Sequence, residues 1–170
     1  MRVATWNVNS VKAHIEVVTR WLGEAKPDVV CLQEIKCEEQ NFPAAVFEEL
    51  HYSAAVFGQK TYNGVAILSK FPLENIVRGL PGDASDDQSR YIQATVLDGS
   101  RSATVASIYL PNGNPPDTPK YTYKLAWMDP DLLRTDARLL ALVERGDGFS
   151  EDDKARLREV ELDLLGRVVP

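Results

Sequence analysis

At 170 residues, 44% hydrophobic and 26% charged, the chain is long enough for one sizeable core and reads as one soluble unit. It has no apolar run long enough for a transmembrane helix. A net charge of −6 argues against a protein that coats nucleic acid at large. It leaves room for an enzyme that grips phosphate through a few local cations.

The acidity is uneven: residues 1–128 carry 12 Lys/Arg against 14 Asp/Glu, and residues 129–170 carry 7 against 11. The N-terminal "MRVATWNVNS" enters strand-like sequence directly, with no signal-peptide pattern. Cys31 and Cys37 fit no zinc spacing, and reduced thiols in a cytoplasmic protein suit them best.

Apolar, β-branched runs at 2–7, 28–33, 52–57, 64–69, 91–97 and 103–110 are each bounded by Gly, Pro, Asn or Asp, which is the strand signature. A helix capped by Ser10 separates the first two, with Val11, Ile15, Val18 and Leu22 on one face and Lys26-Pro27 closing it. A shorter helix is expected at about 43–50. Asp98-Gly99 predicts a hairpin between the last two strands. After residue 118 the pattern reads as helical to the end, apart from a Gly-containing break at 146–148. The order predicts an α/β fold with a mixed sheet flanked by helices. Residues 1–129 form its body and 130–170 an atypical helical tail. The polar loops at 79–90 and 111–119 lie where sites tend to form.

The strand ends carry the chemistry. "DVVCLQEIK" at 28–36 puts Gln33, Glu34 and Lys36 at the end of an apolar strand, where a carboxylate is costly to desolvate unless a cation meets it. If the first two strands are parallel neighbours, Asn7 and Glu34 lie side by side. A carboxylate beside an amide suits a hard cation such as Mg²⁺, which takes one or two protein carboxylates and keeps waters for substrate phosphate to replace. Tyr109 and Asn112 would donate to phosphate oxygens, and Lys36, Arg90 and Lys120 are candidate cations. Each residue also has a plainer reading. Glu34 could be a solvated rim residue, Asn7 a turn cap, "PNG" at 111–113 an ordinary turn, and Tyr109 a core-edge aromatic with a wet hydroxyl.

Taken together, "TWNVNS" at 5–10, "LQEIK" at 32–36, "YNGVAILS" at 62–69, "SIYLPNGN" at 107–114 and "YKLAWMD" at 123–129 resemble the exonuclease III family. Its members are Mg²⁺-dependent DNA-repair nucleases of the endonuclease/exonuclease/phosphatase superfamily. The resemblance covers about residues 1–129. It implies the first half of a four-layered α/β sandwich, with Mg²⁺, or Mn²⁺ in its place, as cofactor. The implied substrate is double-stranded DNA bearing abasic sites or 3′ ends. Glu34 matches the family's metal-binding glutamate, Asn7 the asparagine that supports metal and phosphate, and Tyr109 the tyrosine at the scissile phosphate. Lys36, Tyr62, Asn63, Arg90, Asn112 and Lys120 fall where such enzymes contact DNA.

Two family motifs lack a counterpart. Gly146-Asp147-Gly148-Phe149 is the nearest echo of a "GDFN"-type strand end, but Phe149 stands where asparagine is needed and the preceding "LLALVER" reads as helix. No histidine stands in an "SDH"-type context: His14 falls in the first helix and His51 beside a strand start. The tail's Ser150, Glu151, Asp152 and Asp153 read as a helix start, with Leu157, Val160 and Leu164 as its apolar stripe. The second sheet of the sandwich is therefore expected to be absent. Its place over the bare inner face would fall to residues 118–165 or to self-association with another copy. Two functions follow: a DNA phosphodiesterase, or a non-catalytic remnant that binds DNA or protein.

Overall fold

The computed structural model describes residues 1–127, 139–144 and 158–161. In chain order these form β1 (Arg2–Asn7), α1 (Ile15–Ala25), β2 (Val29–Gln33), α2 (Ala44–Glu48), β3 (Ser53–Phe57), β4 (Val65–Ser69), β5 (Leu73–Arg78), β6 (Tyr91–Asp98), β7 (Arg101–Tyr109), α3 (Pro119–Trp127), β8 (Leu139–Glu144) and β9 (Arg158–Glu161). The strands make two sheets, ordered β3-β4-β2-β1-β9 and β5-β6-β7-β8. No described helix is long and apolar enough to cross a membrane.

The pleat explains how the layers stack. Alternate residues of a strand face opposite sides, and in the first sheet both sides are covered. Ala4, Val30, Leu32, Ala66 and Leu68 pack outward against Val18 and Leu22 of α1 and Phe47 of α2. Val3, Val29, Cys31, Val65 and Ile67 face inward onto Ile92, Ala94, Val96 and Val105 of the second sheet. On that sheet's outer face, Tyr91, Ala106 and Ile108 pack against Trp127 and Tyr123 of α3. The result is four layers: helix, sheet, sheet, helix. A strand covered on both faces needs no polar alternation, hence the unbroken "VVCL" of β2.

A small polar group interrupts this interior. Gln33 is fully buried on the inward face, and its amide donates to Thr5 Oγ1 at 3.0 Å and to Ser107 Oγ at 3.1 Å. Ser107 Oγ in turn donates to the Leu32 carbonyl at 3.0 Å. β1, β2 and β7 are thus pinned to each other across both sheets, with the buried amide satisfied.

Several expectations need correction. A second sheet is present, built by β5–β8 of the same chain, so the inner face is not bare and the reason for expecting self-association falls away. The helical reading of the tail is wrong at two places. Leu139–Glu144 runs parallel to β7 and Arg158–Glu161 antiparallel to β1. Short apolar runs do not separate helix from buried strand, and both strands meet the unpaired edge of a neighbour. Asp147, Ser150, the acids at 151–153, Leu157 and Leu164 lie outside the described residues.

β5 escaped notice because "LENIVR" is an exposed, polar edge strand with a bulge between Glu74 and Val77. The first helix starts later than expected, at Ile15 after His14. Ser10 instead closes the preceding turn, its Oγ accepting from the Ala13 amide at 3.3 Å. The hairpin at Asp98-Gly99 and the parallel β1–β2 pair are as expected.

Truncating the inter-sheet core is expected to be costly while trimming the exposed edge is not. Ile67→Ala should lower the free energy of urea unfolding by about 2–5 kcal/mol. Ile76→Ala, on β5, should stay within about 0.5 kcal/mol. Equal small effects would mean that the sheets do not stack.

Candidate active site

β1 and β2 run parallel with Asn7 opposite Gln33, so both strands end at one edge and release their chains there together. The release is sharp. Asn9 (φ 42°), Ser10 (φ 88°), Glu34 (φ 51°), Lys36 (φ 52°) and Asn63 (φ 48°) are all left-handed, a conformation that costs non-glycine residues energy and persists where the surroundings impose it. Here the backbone imposes it. The Glu34 carbonyl accepts from the Ser10 amide at 2.7 Å and the Ile35 carbonyl from the Val11 amide at 3.2 Å. The Ile35 and Lys36 amides donate to the Gly64 and Asn63 carbonyls at 3.1 and 3.0 Å. Gly64 (φ +87°) has no room for a side chain, since a Cβ would meet Ile35 Cγ1 at 2.5 Å. These turns aim the Glu34 side chain into the seam between the sheets.

Three donors from different places meet that carboxylate. Asn7 Nδ2 donates to Oε1 at 3.0 Å, the Tyr109 hydroxyl donates to the same oxygen at 2.8 Å, and Lys36 Nζ lies 2.9 Å from Oε2. Asn7 Oδ1 accepts from the Asn9 amide at 3.1 Å, which fixes which end of the Asn7 amide faces Glu34. Lys36 also donates to Asn9 Oδ1. Burial alone would push the Glu34 carboxyl up. The Asn7, Lys36 and Tyr109 donors outweigh it and hold the group below the ordinary 4.5. Burial, then the bond to Glu34 and its charge, push the Tyr109 phenol up to about 12 against a partial offset from Arg90.

The network continues outward. The Arg90 guanidinium lies 4.7 Å above the Tyr109 ring centre, a cation–π contact, and its Nη1 donates to the Tyr109 and Leu110 carbonyls at 3.3 and 3.4 Å. Gln88 Oε1 accepts from Arg90 Nε at 2.7 Å and from Asn63 Nδ2 at 3.2 Å. Of the residues singled out from sequence, Asn7, Glu34, Lys36, Asn63, Arg90 and Tyr109 therefore form one connected cluster.

Tyr62, Asn112 and Lys120 are not joined to it by a described contact. Tyr62 is 67% exposed beside Asn63, Asn112 accepts from the Asn114 amide at 2.9 Å in its own loop, and Lys120 is exposed in the first turn of α3. Sequence reasoning passed over Asn9, Gln88 and Gln59, whose Oε1 takes Asn63 Nδ2 at 3.1 Å and the Ser89 amide at 2.7 Å. Only the polarity of the 79–90 loop hinted at Gln88. No described contact joins the His14 ring to the cluster; its Nδ1 donates to the Val8 carbonyl at 2.8 Å.

The cation that meets Glu34 here is Lys36. The donor set also fits a hard divalent ion in its sparest form, one carboxylate with water for the remaining positions. Asn7 orients the carboxylate through its NH₂, and its oxygen, which accepts from the Asn9 amide, keeps a second lone pair. Among the described residues no three His, Cys, Asp or Glu gather as a closed metal cage.

Residues 4–146 match the profile of the Endonuclease/Exonuclease/phosphatase family, which reaches past the 129 boundary read from motifs. Exodeoxyribonuclease III of Haemophilus influenzae is 35% identical over 113 residues, covering 66% of this chain and 42% of that protein. The DNA repair nuclease APEX1 of Danio rerio is 31% identical over 119 residues, covering 67% and 37%. The chain thus spans less than half the length of these curated relatives. Among solved structures, a 3′ phosphatase from Neisseria bound to a product DNA hairpin superposes with a TM-score of 0.75 at 36% identity, covering 84% of this chain and 56% of that one. An AP endonuclease from Archaeoglobus fulgidus gives 0.74 at 36%, covering 84% and 55%.

The depressed Glu34 carboxyl makes stability depend on pH. A folded-state value below the unfolded one contributes stability that is complete above about pH 4.5 and is lost as pH falls through the folded value. In metal-free buffer, Glu34→Gln should therefore lose less stability than the parent between pH 6 and pH 3.5, measured by urea unfolding. Parallel losses in the two proteins would contradict the three-donor arrangement.

Proposed function

The chain belongs to the endonuclease/exonuclease/phosphatase family, and on that premise we propose that it is a Mg²⁺-dependent DNA phosphodiesterase of the exonuclease III type. Its substrates would be double-stranded DNA with abasic sites or 3′ ends, in base excision repair. The observation that carries this reading is the Glu34 carboxylate, held by Asn7, Lys36 and Tyr109 at the joined ends of β1, β2 and β7. The two free, buried thiols suit a reducing compartment such as the cytoplasm.

Each residue then has a task. Glu34 would hold the metal and Asn7 would keep its carboxylate oriented. Bound there, Mg²⁺, or Mn²⁺ in its place, supplies charge neutralisation at the phosphate. Lys36, beside Glu34, would supply a cation for a phosphate oxygen. Tyr109, whose phenol is pushed up by burial and by Glu34, would act as an O–H donor to the phosphate rather than as a nucleophile. Arg90 fixes the Tyr109 ring and adds positive charge behind it. Asn63, Tyr62, Asn112 and Lys120 would contact the DNA backbone on either side, the last three being exposed for it.

A second reading is favoured by one observation. Among the described residues no histidine is hydrogen-bonded to the cluster, and the described partners of the His14 ring are the Val8 and Ser10 carbonyls. A general base usually contributes about 10²–10⁴ in rate. On this reading the chain binds DNA or a protein partner without cutting.

Cleavage of a duplex carrying an abasic site and a recessed 3′ end separates the two. Mg²⁺-dependent cutting, stopped by EDTA and reduced about 10²–10³-fold by Glu34→Ala and about 10²-fold by Tyr109→Phe, is the expected result. Binding without cutting above the EDTA control, by folded protein, supports the second reading instead.

A further inference from the structure

The cluster around Glu34 is reached from α3 through a carboxylate the mechanism above does not use. Asp86, in the loop before β6, takes three donors from two parts of the chain. Its Oδ1 accepts from the Tyr123 hydroxyl at 3.0 Å and from the Gln88 amide at 3.1 Å, and its Oδ2 from Trp127 Nε1 at 3.0 Å. Tyr123 and Trp127 are one turn apart on α3, and the Trp127 ring is buried against Leu80, Tyr91, Ala106 and Ile108. One acceptor-only side chain thus clamps the helix to its own loop. By holding the Gln88 amide it also fixes the residue whose side-chain oxygen holds Arg90 Nε at 2.7 Å. Arg90 in turn lies over Tyr109, and Tyr109 donates to Glu34.

We propose that Asp86 is a positioning residue, which ties the docking of α3 to the orientation of Arg90 and, through Arg90, of Tyr109. The path is Trp127 and Tyr123 to Asp86, Asp86 to Gln88, Gln88 to Arg90, and Arg90 to Tyr109. Every link is a hydrogen bond or ring contact already given. α3 alone would be held by the burial of Trp127. The Asp86 carboxylate adds a fixed bearing for the guanidinium, which an apolar contact has no means to supply. Its catalytic consequence rests on the nuclease reading above, whereas the link from Asp86 to Arg90 does not.

Two readouts on the full chain keep these apart. The first is solvent exchange of the Arg90 Nε–H, followed by its ¹⁵N-resolved signal, and it needs no activity. Asp86→Ala should speed this exchange about tenfold. Asp86→Asn, which retains an oxygen for the Gln88 amide, should return it to within about threefold of the parent. Asp83→Ala, on a carboxylate bonded to Ser85 in the same loop, should leave it unchanged.

The second readout is DNA cleavage. Asp86→Ala should lower kcat about tenfold with KM within about threefold, as expected when a group acting on the reacting centre is misplaced. Should Asp86→Ala fail to fold, Trp127→Phe removes one donor to Asp86 while keeping an aromatic ring, and should speed Arg90 exchange about threefold. Unchanged Arg90 exchange in folded Asp86→Ala, or in Trp127→Phe where Asp86→Ala does not fold, overturns the proposal. Faster exchange in a protein that cuts no DNA upholds the Asp86–Arg90 link and removes the nuclease reading.

Discussion

The structure depends on one half-buried carboxylate. Taking an ionised glutamate out of water between two sheets costs several kcal/mol unless charged and polar partners replace the lost hydration. Glu34 has three, and they come from β1, from its own turn and from β7. The carboxylate can be ionised at this depth only if both sheets are stacked and in register. The same requirement concentrates left-handed residues at the strand ends, because the backbone must turn abruptly to aim Glu34, Lys36 and Asn63 at a common point. Strain of about 1–3 kcal/mol per residue at such positions is tolerable where paired backbone amides leave the chain no alternative.

The sheet stack serves the site in a second way. Gln33, one residue before Glu34, is fully buried and bonded to Thr5 and Ser107, so the register between β2 and β7 is set immediately beneath the cluster. A slip of one residue in either strand would turn Gln33 into the helix layer and Tyr109 away from Glu34. The conformation at the rim is thus fixed by polar contacts in the core, and the loops at 62–64 and 88–90 are fastened to it by Gly64, Gln59 and Gln88.

Much of this was legible from the residues, and the failures have physical causes. The strand runs, the parallel pairing of β1 with β2 and the closeness of Asn7 to Glu34 followed from period and turn chemistry. The contact between Glu34 and Tyr109 joins residues far apart in sequence and on different sheets, and no local pattern encodes it. The pairing of Lys36 with Glu34 is likewise invisible in the sequence, because only the sharp turn lets a side chain two residues on fold back on the carboxylate. The second sheet was missed because its apolar strands look the same whether they extend one sheet or stack on another. β8 and β9 were read as helix because a run such as "LLALVE" suits either state until the unpaired edge of β7 or β1 decides. The recognisable motifs end at 129, whereas the family match spans residues 4–146.

On the proposed function, Glu34, held by Asn7, Lys36 and Tyr109, would be where a divalent cation binds. Titrating the full chain with Mn²⁺ while following backbone amide signals by NMR tests it without reliance on catalysis. Saturable paramagnetic broadening centred on Asn7, Glu34, Lys36 and Tyr109, displaced by excess Mg²⁺ and lost in Glu34→Gln, is expected. Broadening centred elsewhere, or unchanged in Glu34→Gln, would contradict it.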